Sequence, residues 1–310
     1  MSAGGRVLIL GLPYFGRRLA GELAGLGWNA SYLSHPGKDA AGWARVALGV
    51  AKADVVYLVG SRAERGSPQD RLLRLRRKPV VIHWVGTDVQ IAIDEHRRGR
   101  LSPRIAGKPQ HWCDAPWLVE ELRTAGIVSE YVPLPIPIVE APPPPLPGTF
   151  RVLLYYPVDG FDREVFDIET MLRLPAAFPD VHFTLIPSPG GTLPGPLPAN
   201  LEARGWVDDM EALYRETTAL VRLTSHDGQS FMAAEALSRG RYVIWTHPMP
   251  GATRAEGFEA VAAALGDLVA RHRAGKLGLN VDGRRSAIER FGGGRPLAEI
   301  DERLRIIARR

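Results

Sequence analysis

Short apolar runs separated by amphipathic stretches recur along this chain, and their order restricts the fold more than any other feature. "RVLILG" passes through the turn "GLPYFG" into "RRLAGELAGLG", and "NASYLSH", "DVVYLVG" and "PVVIHWVG" follow as strand-like runs with helical stretches between the first three. "PQHWCD" reads as another short strand. "APWLVEELRTAGI" reads as a helix, with Pro116 near its start and Gly126 near its C-cap. Alternation of this kind predicts a parallel α/β sheet.

The periodicity stops at "SEYVPLPIPIVEAPPPPLPG". Proline at this density joins neither a ladder nor a helix and favours a stiff polyproline II connector. Alternation then resumes: "FRVLLYYP", "VHFTLIPS", "ALVRLT" and "YVIWT" are strand candidates, separated by "REVFDIETMLRLPAAF", "MEALYRET" and "SFMAAEALSRG". The pattern predicts two Rossmann-like doubly wound α/β domains facing across a cleft. The N-terminal one spans residues 1–134, a proline-rich linker 135–149, and the C-terminal domain 150–285. A terminal helix, 286–310, carries Leu297, Ile300, Leu304 and Ile307 on one stripe and is expected to dock, with the domain junction as one possible place. Open α/β sheets bind ligands at the carboxyl ends of their strands, so function is expected in the strand-to-helix turns.

Composition narrows the class. A chain of 310 residues with 45% hydrophobic content supports one large or two medium cores. No apolar run reaches the roughly 20 residues of a bilayer span, and "MSAGGRVLILG" lacks the basic start of a signal peptide, so a cytoplasmic location is expected. The single cysteine, Cys113, excludes an intramolecular disulfide. Residues 1–134 hold 19 Lys+Arg against 12 Asp+Glu, whereas the remainder holds 20 against 22. Arg71, Arg74, Arg76, Arg77 and Lys78, interleaved with Leu72, Leu73 and Leu75, form a pattern compatible with contact to the inner membrane surface, or simply a solvated helix face. The scattered arginines lack the aromatic interleaving of a nucleic-acid binder, so no nucleic-acid partner is expected.

One stretch concentrates chemistry. "SHDGQS" connects the strand "ALVRLT" to the helix "FMAAEALSRG", so a helix beginning near Gln229 or Ser230 points the positive end of its dipole toward the strand ends. Gly228 permits close backbone approach and Ser230 offers a hydroxyl, a setting suited to phosphate oxygens without a metal. Asp227 stands at or just before the N-cap, and Glu235 lies eight residues on, about 12 Å along the axis. Asp227 reads either as a cap or as a ligand.

"RGWVDDMEALYRET" followed by "LTSHDGQSFMAAEALSRGRYVIWT" resembles the donor-site signature of GT-B glycosyltransferases, above all the family-4 retaining enzymes: an acidic residue, seven others, Glu, then Ala, small residues, Gly and a buried strand. "PVVIHWVGTDV" and "DAPWLVEELRTAGIVSEYVPLPIP" resemble segments of the same family's N-terminal domain. The resemblance implies transfer of a sugar from a UDP- or GDP-linked donor to a glycan, lipid-linked or small-molecule acceptor, with retention and with neither metal nor cofactor. It implies that Glu235 binds ribose hydroxyls and that Asp227, where the family usually has Glu, lies near the donor sugar. Gly205, Trp206 and Val207 then border the base, and Gly228, Gln229 and Ser230 face the diphosphate. His83 contacts the sugar or the charge developing at the anomeric carbon, or else ends its strand as a polar surface residue. Asp88 caps the following helix or meets the acceptor.

The chain departs from the family at the diphosphate. An Arg and a Lys are expected after the first strand of the second domain, and "LLYYPVDGFDREVFDIE" offers Arg163 alone. Arg222 and Arg254 are alternative cations. No DxD metal motif occurs in a plausible turn, as Asp208 and Asp209 are adjacent and Asp159 and Asp162 three apart. Two other readings remain at this point. "VLILGLPYFGRRLAGELAGLG", with Gly11 and Gly16, resembles a nicotinamide-binding turn, but Pro13 replaces its second glycine and "YLSHP" lacks the acidic ribose ligand. Gly11, Tyr14 and Gly16 are therefore expected at the edge of the acceptor side. A catalytically silent binding protein of GT-B type is the other reading.

Overall fold

The computed structural model describes residues 5–37, 39–75, 79–157, 164–187 and 197–309. The chain forms two compact units, Met1–Pro135 with Gly294–Arg310, and Ile136–Gly293. The first unit contains β1 (Arg6–Gly11), α1 (Pro13–Gly25), β2 (Asn29–Leu33), α2 (Ala40–Lys52), β3 (Val55–Val59), α3 (Pro68–Leu75), β4 (Val80–Trp84), α4 (Thr87–Arg97), α5 (Pro103–Gly107), β5 (Gln110–Cys113), α6 (Pro116–Thr124) and β6 (Glu130–Tyr131). Its sheet is parallel throughout, in the order β2-β1-β3-β4-β5-β6. Every residue of β3 and β4 is buried, as expected of central strands covered on both faces by helices.

The second unit contains β7 (Arg151–Tyr155), α7 (Ile168–Ala177), β8 (His182–Ile186), β9 (Leu201–Ala203), α8 (Met210–Glu216), β10 (Ala219–Arg222), α9 (Phe231–Ser238), β11 (Tyr242–Trp245), β12 (Thr253–Arg254), α10 (Gly257–Arg273) and α11 (Val281–Phe291). Its sheet is also parallel, in the order β12-β11-β10-β7-β8-β9. Numbered within the unit, that is the 3-2-1-4-5-6 order of dinucleotide-binding folds, and the order reverses between β7 and β10. The helix expected from "REVFDIETMLRLPAAF" begins only at Ile168. Asp167 caps it by accepting from Thr170 N at 3.0 Å, and Phe166 instead pairs antiparallel with Thr224.

The proline-rich segment is not a bare connector. Residues 136–149 belong to the second unit, where arginines strap them down: Arg241 donates to the carbonyls of Pro144 and Pro145, and Arg284 to those of Glu140 and Ala141. Proline lacks a donor but keeps its acceptor, and a guanidinium supplies the missing partner. The terminal helix α12 (Arg295–Ala308) belongs to the first unit, buries Ile300, Leu304 and Ile307, and accepts from Trp28 Nε1 through Asp301 at 2.6 Å. On α3, Leu73 packs into the core and Leu72 is half-buried against it; Arg76, Arg77 and Lys78 lie outside the described residues. Among the described residues no helix is long and apolar enough to cross a membrane.

Candidate functional site

In the second unit the reversal between β7 and β10 puts Tyr155 and Arg222 at adjacent strand ends, with the loop into α9 directly after them. Residues Val165 to Asp167 line this loop, since Ser225 N donates to Val165 O at 2.7 Å and Asp167 N to Leu223 O at 3.1 Å. Ser230, and not Asp227, is the N-cap of α9: its Oγ accepts from Ala233 N at 3.2 Å. Asp227 is taken up by a cation. Its Oδ2 lies 2.6 Å from Arg222 Nε and 3.4 Å from Thr224 Oγ1. The guanidinium sits 5.2 Å from the ring centroids of both Tyr155 and Phe166. Burial works against its charge, and the Asp227 carboxylate more than compensates, raising its pKa.

Gly228, Gln229 and Ser230 are all buried in this loop. Glu235, also buried, accepts from the Tyr214 hydroxyl at 2.9 Å. Tyr214 belongs to α8, which a second link ties to α9, Arg239 Nε donating to Glu211 at 2.8 Å. The turn of Gly205, Trp206 and Val207 lies between β9 and α8. There the Trp206 indole is 76% exposed, steadied by a 2.8 Å bond from Nε1 to Asp208. Thus Asp227, Gly228, Gln229 and Ser230 form one loop, and Glu235 is joined through Tyr214 to the helix that follows the Trp206 turn. Arg163 lies outside the described residues.

In the first unit His83 does not end its strand as a surface residue. Its ring is sealed inside β4 at 0% exposure, with Nδ1 2.5 Å from the Tyr57 hydroxyl and Trp112 set edge-on against it. Burial drives its pKa down to about 3, so it is a neutral interior imidazole and not a surface group. Its backbone carbonyl reaches outward, accepting from Gly60 N at 2.9 Å. Asp88 stands in the first turn of α4 and accepts from Ser61 N and Val85 N, both at 3.1 Å. Burial pushes its pKa up to about 7 against the pull of these N–H groups.

The glycines of the first turn are explained by packing. Gly11 has φ +109°, and a Cβ there would lie 2.0 Å from the Val59 carbonyl oxygen; a Cβ on Gly16 would lie 2.6 Å from the Tyr32 ring. No bound cofactor is needed to account for either. Tyr14 projects from the same turn, 57% exposed.

Tyr214 carries weight in this arrangement that the sequence did not assign it, and Arg222, there one of two alternative cations, is the one that meets Asp227. A lone charge ending the apolar run "ALVR" was the available signal for Arg222. Tyr214 gave none, because an aromatic residue on a helix usually means core packing.

No family model matches the sequence, and no curated protein does. Solved structures do match. Sucrose-phosphate synthase from Thermosynechococcus elongatus aligns over 97% of this chain and 99% of its own, with a TM-score of 0.71 at 14% identity. HepE from Anabaena, in complex with UDP-glucose, aligns over 97% and 99%, with a TM-score of 0.63 at 12% identity. The fold is that of the GT-B glycosyltransferases. TarM, at TM-score 0.59 and 11% identity, shares this GT-B likeness over 81% of the present chain, which spans only 54% of TarM. Identities this low extend the likeness to the fold alone.

Proposed function

We propose that this GT-B chain transfers a sugar from a UDP- or GDP-linked donor to an acceptor hydroxyl, with retention and without a metal, as the family-4 enzymes do. The observation that carries the reading is the reversal point of the second sheet, where the capped α9 N-terminus and the Arg222–Asp227 pair stand side by side. Departure of a nucleoside diphosphate requires positive potential at the leaving oxygens. A helix N-terminus and a fixed guanidinium provide it without a bound ion.

Glu235, aimed by Tyr214, accepts the ribose hydroxyls. The exposed Trp206 indole offers a face on which a nucleobase stacks, with Gly205 and Val207 shaping the turn. Gly228, Gln229 and Ser230 face the diphosphate, and Arg163 adds a second cation. Asp227 orients Arg222 and lies near the donor sugar. On the acceptor side Asp88 contacts the incoming hydroxyl. His83 is a positioning residue, its ring held against the Tyr57 hydroxyl.

The test is a melting-temperature panel of UDP, GDP and NAD(H), followed by transfer assays with and without EDTA. Stabilisation by UDP or GDP and EDTA-resistant transfer are expected. Glu235→Ala should chiefly weaken nucleotide binding and Asp227→Ala should chiefly lower turnover. Stabilisation by NAD(H) alone, or full activity in both variants, overturns the assignment.

A further inference from the structure

Trp206 is the most exposed aromatic side chain among the described residues, at 76% on the turn between β9 and α8. It is also anchored. Its Nε1 donates to Asp208 Oδ1 at 2.8 Å, which ties one edge of an open indole to a carboxylate. A ring held open in this way can stack on a flat partner at little cost in ordering.

The carboxylate itself is uncommitted. Of the other acids on β9 and α8, Glu202 and Glu216 pair with Arg204 at 3.0 and 3.5 Å, and Glu211 pairs with Arg239 at 2.8 Å. Asp209 caps α8 by accepting from Ala212 N at 2.9 Å. Asp208 is exposed, joins no ion pair among the described residues, and has no partner there for its Oδ2. A carboxylate left over beside a stacking ring selects for donors on the edge of whatever stacks.

An ionised carboxylate only accepts, with two lone pairs on each oxygen. Oδ1 can therefore keep the indole bond and still take one N–H while Oδ2 takes another. Uracil offers a single N–H between two carbonyl oxygens, which the carboxylate repels. Adenine sets its amino group beside a bare ring nitrogen. Guanine places two donors side by side, N1–H and the 2-amino group, in the paired arrangement that suits a carboxylate.

We propose that the nucleotide is a guanosine diphosphate, with guanine stacked on Trp206 and its N1–H and 2-amino group donating to Asp208. That this nucleotide brings a sugar for transfer, and that its base lies on Trp206, rests on the transferase reading; the choice of base rests on Asp208.

The experiment titrates the full chain calorimetrically, with no acceptor present, with GDP, UDP, ADP and inosine diphosphate, which is GDP without the 2-amino group. GDP should bind about tenfold more tightly than UDP or ADP, and about fivefold more tightly than inosine diphosphate, the worth of one exposed hydrogen bond. The comparison of GDP with inosine diphosphate needs no variant. Asp208→Asn keeps an acceptor for the indole and turns an amide N–H2 toward the base, so GDP should fall to the level of inosine diphosphate while UDP holds its affinity. Trp206→Ala should weaken GDP and UDP alike, by about tenfold, because stacking does not distinguish bases. Tighter binding of UDP than of GDP, equal binding of GDP and inosine diphosphate, or a GDP preference that survives Asp208→Asn overturns the proposal. GDP binding with these dependences but no transfer from any GDP-linked sugar keeps the base assignment and removes the transferase. Transfer from a UDP-linked sugar without a GDP preference does the reverse, and binding of no nucleotide at all removes both.

Discussion

Arg222 Nε meets Asp227 Oδ2 at 2.6 Å, with both side chains largely withdrawn from water at 12% and 16% exposure. On the transferase reading proposed above, one pair answers two departures from the pattern that the sequence resembles, the aspartate in place of glutamate and the missing lysine. The shorter carboxylate closes on a guanidinium five residues back, and that guanidinium is a cation at the sheet's reversal point. Removing one partner leaves a charge stranded in a semi-enclosed site. Asp227→Ala should therefore destabilise the second unit by about 2 kcal/mol, discounted from the fully buried case for residual solvent. The double variant Arg222→Met, Asp227→Ala should recover most of that loss in urea melts and recover no transfer activity. Recovery of both would make the pair purely structural.

Tyr214 offers a cleaner probe of the donor site. Its ring is fully buried and its hydroxyl donates to Glu235 at 2.9 Å, so Tyr214→Phe keeps the ring's packing and removes that bond. A hydrogen bond to an ionised group is worth about 1.5–3 kcal/mol. The variant should raise the donor KM by about tenfold with little change in kcat or melting temperature. Steady-state kinetics against donor concentration check this, and an unchanged KM would detach Glu235 from the nucleotide.

Much of this architecture is legible in the sequence because each unit's strands are nearly unbroken apolar runs between turn residues. β3 and β4 are buried from end to end, and "DVVYLVG" and "PVVIHWVG" mark them directly. Strands of two or three residues, β6, β9 and β12, carry too little periodicity to register. The proline tract reads as detached because its prolines donate nothing, yet carbonyls within it are what Arg241 and Arg284 hold. At the site, Asp227 and Glu235 stand out by spacing. Their partners stand out less: Arg222 meets Asp227 only through the turn that ends β10, and Tyr214 meets Glu235 between two helices, neither at a spacing that strand or helix periodicity marks. His83 lies on a strand buried on both faces, so its chemically suggestive ring is enclosed.

Arg241 should matter more for stability than any surface arginine. It is fully buried and spends its donors on the carbonyls of Tyr214, Pro144 and Pro145, with burial lowering its pKa. Arg241→Ala takes the guanidinium away from the Pro144 and Pro145 carbonyls and leaves a void behind them, and a loss of about 3 kcal/mol is expected. Chemical denaturation of the variant checks the magnitude, and exposure of the 136–149 segment to protease checks the location.

Acid should weaken the first unit through its histidines. Burial holds His83 at about 3 and His111 at about 4, so both stay neutral in the folded protein while the unfolded chain takes up protons near 6.5. The unfolded state then binds more protons, and stability rises with pH across this window. The contribution is complete above about pH 6.5 and is lost as pH falls toward 4 and 3. His83→Gln should move the acid-unfolding midpoint lower, followed by the fluorescence of Trp84 and Trp112 beside the two rings.

Asp88 acts with the opposite sign over an overlapping range. Its folded carboxyl keeps a proton up to about pH 7, whereas the unfolded one loses it near 4. The native state binds more protons between these values, so this group's contribution declines as pH rises from about 4 to 7 and is level beyond. In Asp88→Asn that decline should vanish. The amide turns an N–H toward either Ser61 N or Val85 N and carries a fixed penalty, so the slope of stability against pH is the diagnostic quantity and not its level. If Asp88 also meets the acceptor, the same variant raises the acceptor KM and leaves the donor KM unchanged. A lost slope with both KM values intact confines Asp88 to capping α4, and an unchanged slope removes the carboxyl from this titration altogether.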